Sequence, residues 1–161
     1  MQPKVLISHW VHDEVIQYLE SAGCRVVSNS TYESFSQDRL KKELHDADAF
    51  MAFMPDTVDQ HMLADAPDLK IIGCALKGYD NFDIEACTQA GVWLTVVPDR
   101  LTEPTAELTI ALMLGVSRHV LPGDRHVRSG QFAGWRPRFY GTGIADSFIG
   151  IIGMGNVGQA I

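Results

Sequence analysis

Ser147-Phe148-Ile149-Gly150-Ile151-Ile152-Gly153-Met154-Gly155-Asn156-Val157-Gly158 sets an apolar run directly before three glycines spaced G-x-G-x-x-G. With glycine at about 7% of residues, that spacing arises by chance in roughly one window in 3,000, so the glycines alone say little. Their context says more: a strand-like run before them and the start of a helix after them are what a dinucleotide-binding turn requires. Gly153 permits the tight turn, Gly155 lets the backbone approach a pyrophosphate, and Gly158 lets helix and strand pack closely. The N–H groups of Asn156 and Val157 then face the anion from the positive end of a helix. The turn by itself leaves NAD and NADP both open. The acidic residue that separates the two falls about 20 positions further along.

Working outward from this turn, strands and helices alternate from the start of the chain. Lys4–Ser8, Arg25–Ser28, Ala49–Met54, Leu69–Leu76 and Trp93–Val97 read as strands. Ala49–Met54 is an unbroken apolar run of the kind covered on both faces. Asp13–Ala22 has Val15, Ile16, Leu19 and Ala22 at helical spacing, with Gly23 able to end it in a left-handed cap. Ser36 is a good N-cap for a helix burying Leu40, Leu44 and Ala47. A short helix is expected around Asp59–Ala64, and another over Asp83–Ala90 closed by Gly91. Strands spaced by helices imply right-handed crossovers and a parallel sheet, with ligands at the carboxyl ends of its strands. Those ends fall near Ser8-His9, Met54-Pro55 and Lys77-Gly78.

Pro98-Asp99 reads as a hinge. Thr102 is expected to cap a long helix running to about Val120, with Pro104 in its first turn and Leu108, Ala111, Leu112 and Val116 on one face. A glycine- and aromatic-rich loop spans Gln131–Ala145, and Ser147–Ile152 is expected as a buried strand. The fold class is therefore α/β. Residues 1–98 are expected to form a flavodoxin-like parallel-sheet domain. Residues 99–161 are expected to supply a hinge, a long helix, and the first strand and glycine loop of an incomplete Rossmann domain.

The composition excludes several function classes. The chain has 161 residues, 46% of them hydrophobic, and a formal charge of −7. Such an acidic surface does not suit nucleic acid or an anionic membrane. Cys24, Cys74 and Cys87 form no C-x-x-C pair; they read as buried thiols in a reducing compartment, and a cytoplasmic location is expected. His45, His61, His119 and His126 show no metal-ligand spacing, so no metal is expected. His9 and His12 lie at or near the strand-end edge, where a satisfied or solvent-facing ring is the expectation.

An α/β domain of this length, a hinge, a long helix and a late glycine turn resemble the D-2-hydroxyacid dehydrogenase family. Five segments are similar to its phosphite (phosphonate) dehydrogenase branch: Met51–Asp56, Gly73–Asp83, Gly91–Thr95, Pro104–Leu108 and Phe139–Gly143. The resemblance covers nearly the whole chain. It implies that residues 1–98 bind substrate and that NAD takes a hydride from phosphite. A glyoxylate- or hydroxypyruvate-type acid is the first alternative substrate, and a non-catalytic NAD-sensing dimerisation module is the second. By this resemblance Lys77 is the catalytic lysine that clamps the anion, with the N–H of Gly78 adding a donor. Met54 and Leu76 either wall the substrate site or are ordinary core. Leu101 lies at its mouth. Thr105 either contacts the cofactor or serves only its own helix turn. Trp135 and Tyr140 either approach the site, reaching across a homodimer, or merely pack. Arg136 and Arg138 depart from the branch's pattern and read as surface variation. The family's arginine, glutamate and histidine are expected beyond Ile161, so the 161-residue polypeptide by itself is expected to be inactive.

Overall fold

In the computed structural model, which describes residues 2–161, the chain divides into two compact units, Met1–Pro98 and Asp99–Ile161. The first alternates β1 (Lys4–Ile7), α1 (Asp13–Ser21), β2 (Arg25–Ser28), α2 (Gln37–Leu44), β3 (Ala49–Ala52), α3 (Gln60–Ala64), β4 (Ile71–Cys74), α4 (Ile84–Ala90) and β5 (Trp93–Thr95). The strands form one five-stranded sheet in the order β2-β1-β3-β4-β5, with every pair parallel. Four of the five strands are shorter at their carboxyl ends than the apolar runs suggest. Pairing stops where the loops turn away, and Ser8, Met54, Leu76 and Val97 fall in those loops.

Local chemistry explains the helix ends. The Ser36 hydroxyl accepts from the Arg39 N–H at 3.3 Å, Asp59 from Met62 at 2.8 Å and Asp83 from Ala86 at 2.9 Å, each satisfying a first-turn donor. Gly91 closes α4 in the left-handed region at φ 70°, and Gly23 follows α1 at φ 88°. Both faces of β3 are covered, as its sequence implies. Phe50 and Ala52 enter the larger core with Leu6, Leu44, Val58 and Ile72, while Ala49 and Met51 pack with Val5, Ile7 and Val11. Cys74 and Cys87 are buried and Cys24 is half-buried; all are free thiols. Burial pushes the Cys74 thiol up to about 11, helped by Cys87 and Asp56, so it stays protonated and unreactive.

The second unit corrects three expectations. Thr102 does not cap α5 (Thr102–Ser117): Leu101 occupies the cap position, no side chain caps the helix, and the Thr102 hydroxyl is buried without a partner. The helix does not run on to Val120. His119 adopts φ 52°, left-handed backbone that breaks the helix, and α6 (Val120–Arg128) starts afresh. Ser147–Ile152 is neither a strand nor buried; Phe148 and Ile152 are fully exposed. A strand needs a neighbour to take its N–H and C=O groups, and among the described residues the second unit has no other strand. α7 (Asn156–Ala160) follows the glycines and packs against α5.

The amino-terminal edge of the sheet is an ion-pair network. The buried Lys4 ammonium donates to the Glu43 carbonyl at 2.7 Å and to the carboxylates of Glu43 and Asp46. This hydrogen bond, aided by the Lys4 and Arg25 charges, holds the Asp46 carboxyl below its usual range. A depressed folded value contributes stability above the unfolded value of 3.8, lost as pH falls through the folded value. Asp46→Asn should therefore lower the urea midpoint at neutral pH, with the difference from the parent vanishing in strong acid. Urea titrations across pH check this; a gap that persists in acid would contradict the linkage.

Candidate active site

In the first unit the polar side chains gather where β1, β3 and β4 end. Ser8, directly after β1, is buried and donates its hydroxyl to Asp56 Oδ2 at 2.5 Å. Asp56 also accepts the Phe53 N–H at 2.7 Å, and the Ser8 carbonyl accepts Asn29 Nδ2 at 2.9 Å. His9 is neither satisfied nor solvent-facing, contrary to expectation. Its Nε2 is buried without a hydrogen-bond partner, 3.7 Å from Asp56 Oδ1, and its ring meets Phe53 edge-on at 5.3 Å.

Lys77 is half-buried in the bend after β4, and among the described residues it forms no ion pair. The bend is held at its base. Ala75 donates to the Ala52 carbonyl at 2.9 Å, and the Leu76 carbonyl accepts the Val97 N–H at 2.9 Å. Leu76 is half-buried against the larger core, whereas Met54 is 77% exposed and so is not ordinary core. Gly78 is exposed, with nothing within 4 Å of a Cβ placed there, leaving room beside its backbone. Asn81 joins the two loops: its Nδ2 donates to the Met54 carbonyl at 3.2 Å and to the Asp56 carbonyl. The first unit thus brings Met54, Leu76, Lys77 and Gly78 to one sheet edge. Asp56 and Asn81, given no role from sequence, organise that edge. The only hint was their place within segments already singled out.

In the second unit Leu101 is partly exposed at the α5 cap, and Thr105 donates its hydroxyl to the Leu101 carbonyl at 2.6 Å. That bond accounts for Thr105 within its own helix turn. Trp135 and Tyr140 are 80% and 79% exposed, so packing does not explain them. Their loop is fastened at Thr142, whose N–H reaches the Ser117 carbonyl at 2.8 Å. Arg136 and Arg138 are exposed; Arg138 lies 3.4 Å from His126 Nδ1.

The glycine turn fits a dinucleotide phosphate group. Gly153 has φ 98°, open only to glycine at low cost. A Cβ on Gly158 would collide with the Gly153 carbonyl, so the helix can approach the turn this closely only with glycine there. Nothing lies within 4 Å of a Cβ at Gly155, which leaves space over the turn. The N–H groups at the start of α7, from Asn156 and Val157, have no acceptor one turn earlier within the helix.

A parallel sheet with its polar groups at the strand exits, followed by a glycine-lined turn, defines an α/β chain of dehydrogenase type. The chain belongs to the D-isomer specific 2-hydroxyacid dehydrogenase family, whose catalytic-domain model matches residues 5–158. It is 37% identical over 166 residues to a glyoxylate reductase from Pyrococcus horikoshii, covering all of this chain and 49% of that protein. A glyoxylate reductase from Thermococcus litoralis is 36% identical, with all of this chain and 50% of that protein covered. A solved structure of a Thermus thermophilus protein superposes with a TM-score of 0.90 at 31% identity, over 98% of this chain and 50% of that one. The chain spans about half the length of the curated relatives it matches.

Gly141 offers a test of how the aromatic loop is held. A Cβ there would overlap the Ser117 carbonyl and come within 2.9 Å of Arg118 Cα. Gly141→Ala should push the loop off the end of α5, costing about 1–3 kcal/mol. Differential scanning calorimetry of the full-length protein reads this as a lowered Tm. An unchanged Tm would show the approach to be loose.

Proposed function

We propose that the chain is the front portion of an NAD(P)-dependent enzyme that reduces glyoxylate- or hydroxypyruvate-type 2-oxo acids to 2-hydroxy acids. The observation that carries this reading is the family match over residues 5–158, with glyoxylate reductases among the relatives. The nicotinamide, when bound, supplies the hydride. Gly153, Gly155 and Gly158 make room for the dinucleotide phosphates, and the Asn156 and Val157 N–H groups donate to them. Lys77, which pairs with no carboxylate among the described residues, holds the substrate anion, and the Gly78 N–H adds a neutral donor. Met54 and Leu76 are the apolar groups that limit water beside Lys77, and Leu101 is assigned to the site through the family resemblance alone. Thr105, whose hydroxyl is bonded within its own turn, is assigned a further contact with the cofactor through the family resemblance, and Trp135 and Tyr140 are exposed aromatic groups for substrate or for the partner in a homodimer. The acid–base step is assigned to no residue of this stretch.

A second reading keeps the same machinery and changes the hydride donor to phosphite: water adds its oxygen to phosphorus and gives up a proton to solvent as the P–H hydride passes to NAD, leaving phosphate. The similarity of Gly73–Asp83 and Phe139–Gly143 to the phosphite-oxidising branch favours it, and a Lys77 with no ion pair among the described residues suits a doubly charged anion. Names of the relatives favour the carbon acid, so it stands first.

Side-by-side kinetics of the full-length protein separate the two. Glyoxylate with NADH or NADPH should give a kcat/KM at least ~10-fold above that for phosphite with NAD, a gap of about 1.4 kcal/mol in transition-state binding. The reverse order overturns the first reading in favour of the second. In either case Lys77→Ala should lower kcat/KM by about 10²-fold or more, as expected when a preorganised charge is removed from a water-poor site. Retention of full activity would remove Lys77 from the machinery.

A further inference from the structure

We infer that Asn81 is a positioning residue that sets the placement of Lys77 relative to Met54, and so governs how tightly the substrate anion is held. The inference rests on the proposed role of Lys77 as the anion clamp. Asn81 lies four residues beyond Lys77 in the loop between β4 and α4. Its amide reaches across to the neighbouring loop after β3, donating to the Met54 carbonyl at 3.2 Å and also to the Asp56 carbonyl. Its own carbonyl accepts the Val58 N–H at 3.1 Å, and the Asp83 N–H returns to the Val58 carbonyl at 2.8 Å. These bonds make a short parallel bridge between Val58 and Phe82, both buried. The two loops are therefore tied by main-chain bonds on the core side and by the Asn81 side chain toward solvent.

The far end of this tie is fixed as well. Asp56 is buried, and its carboxylate is held by the Ser8 hydroxyl and the Phe53 N–H. The Met54-Pro55-Asp56 turn is thus anchored to the exit of β1, and Asn81 fastens the Lys77 loop to that anchored turn. Lys77 itself has no partner among the described residues to hold its ammonium in place. Its position must come from the backbone that carries it, and the side chain nearest in sequence that crosses to the anchored turn is Asn81.

Loss of the amide should leave the sheet intact and loosen the 75–80 segment. An anion clamp that wanders by an ångström loses ground-state binding as well as transition-state binding, so the defect should appear in the KM for the acid. The test uses the full-length enzyme with Asn81→Ala, and with Asn81→Ser should the alanine variant fold poorly. The expected result is a KM for the anionic substrate raised by about tenfold. KM for the nicotinamide should stay within about twofold, and kcat within about threefold. Amide hydrogen exchange at Val58, Phe82 and Asp83, whose N–H groups are bonded within the tied loops, should speed by about tenfold, with β1 and β3 unchanged. Unchanged exchange overturns the tie whatever the substrate proves to be. Faster exchange with an unchanged substrate KM overturns the positioning role. A parent enzyme inactive toward both glyoxylate and phosphite, but with exchange responding to the substitution, overturns the functional reading and leaves the tie standing.

Discussion

The Asp56 carboxylate is the interaction on which the strand-exit loops of the sheet depend. It is buried, yet it is not left without partners: the Ser8 hydroxyl and the Phe53 N–H both donate to it, and the His9 ring stands beside it. Hydrogen bonds to a charged group contribute about 1.5–3 kcal/mol each, and a buried carboxylate without them would be strongly destabilising. Because the donors come from the exits of β1 and β3, satisfying one charge also fixes two loops. Asn81 then extends the same constraint to the loop after β4. The sheet makes the three exits neighbours through its β1-β3-β4 adjacency, and the polar bonds decide where the loops go from there.

Much of the first unit was legible because its signals are local. A capping residue at Ser36 and a left-handed glycine at position 91 act within one helical turn. Apolar runs found all five strands but overshot most of their carboxyl ends, since an apolar side chain can remain buried after the backbone has left the ladder. Leu76 and Val96 both pack on the core beyond their strands. In the second unit the same signals failed where neighbours matter. Ser147–Ile152 has strand-like composition, but composition cannot supply the adjacent strand. Thr102 has a capping side chain, but the helix begins one residue earlier than that role requires.

The site divides along the same line. Lys77 and Gly78 were singled out through their strand-end position together with the family resemblance, and the three glycines of the turn through their spacing, because glycines before a helix have physical meaning on their own. Asp56 and Asn81 were not. The Asp56 partner Ser8 lies 48 residues away, and Asn81 reaches 27 residues back to Met54. No short-range pattern marks such pairs, and an aspartate after a proline reads as an ordinary surface turn. His9 was misjudged for the same reason: burial of its Nε2 comes from the packing of separate segments and not from its neighbours in sequence.

This division bears on what the family match can decide. The glycine turn and the parallel sheet are requirements of cofactor and fold, and they are shared by enzymes with different substrates. Choice of substrate depends on the loops at the strand ends, where a few polar bonds set the spacing of one ammonium, one or two N–H donors and an apolar wall. A 2-oxo acid offers one carboxylate charge and a flat carbonyl; phosphite offers a compact tetrahedral anion with more charge. Under the proposed role of Lys77 and Gly78 the same pair serves either anion, and the spacing of the Met54 and Lys77 loops is one feature that distinguishes them. Asn81 bonds those two loops directly, and Asp56 anchors the first of them at the exit of β1. Residues given no substrate contact in that reading therefore bear on specificity, and whole-chain similarity averages over them.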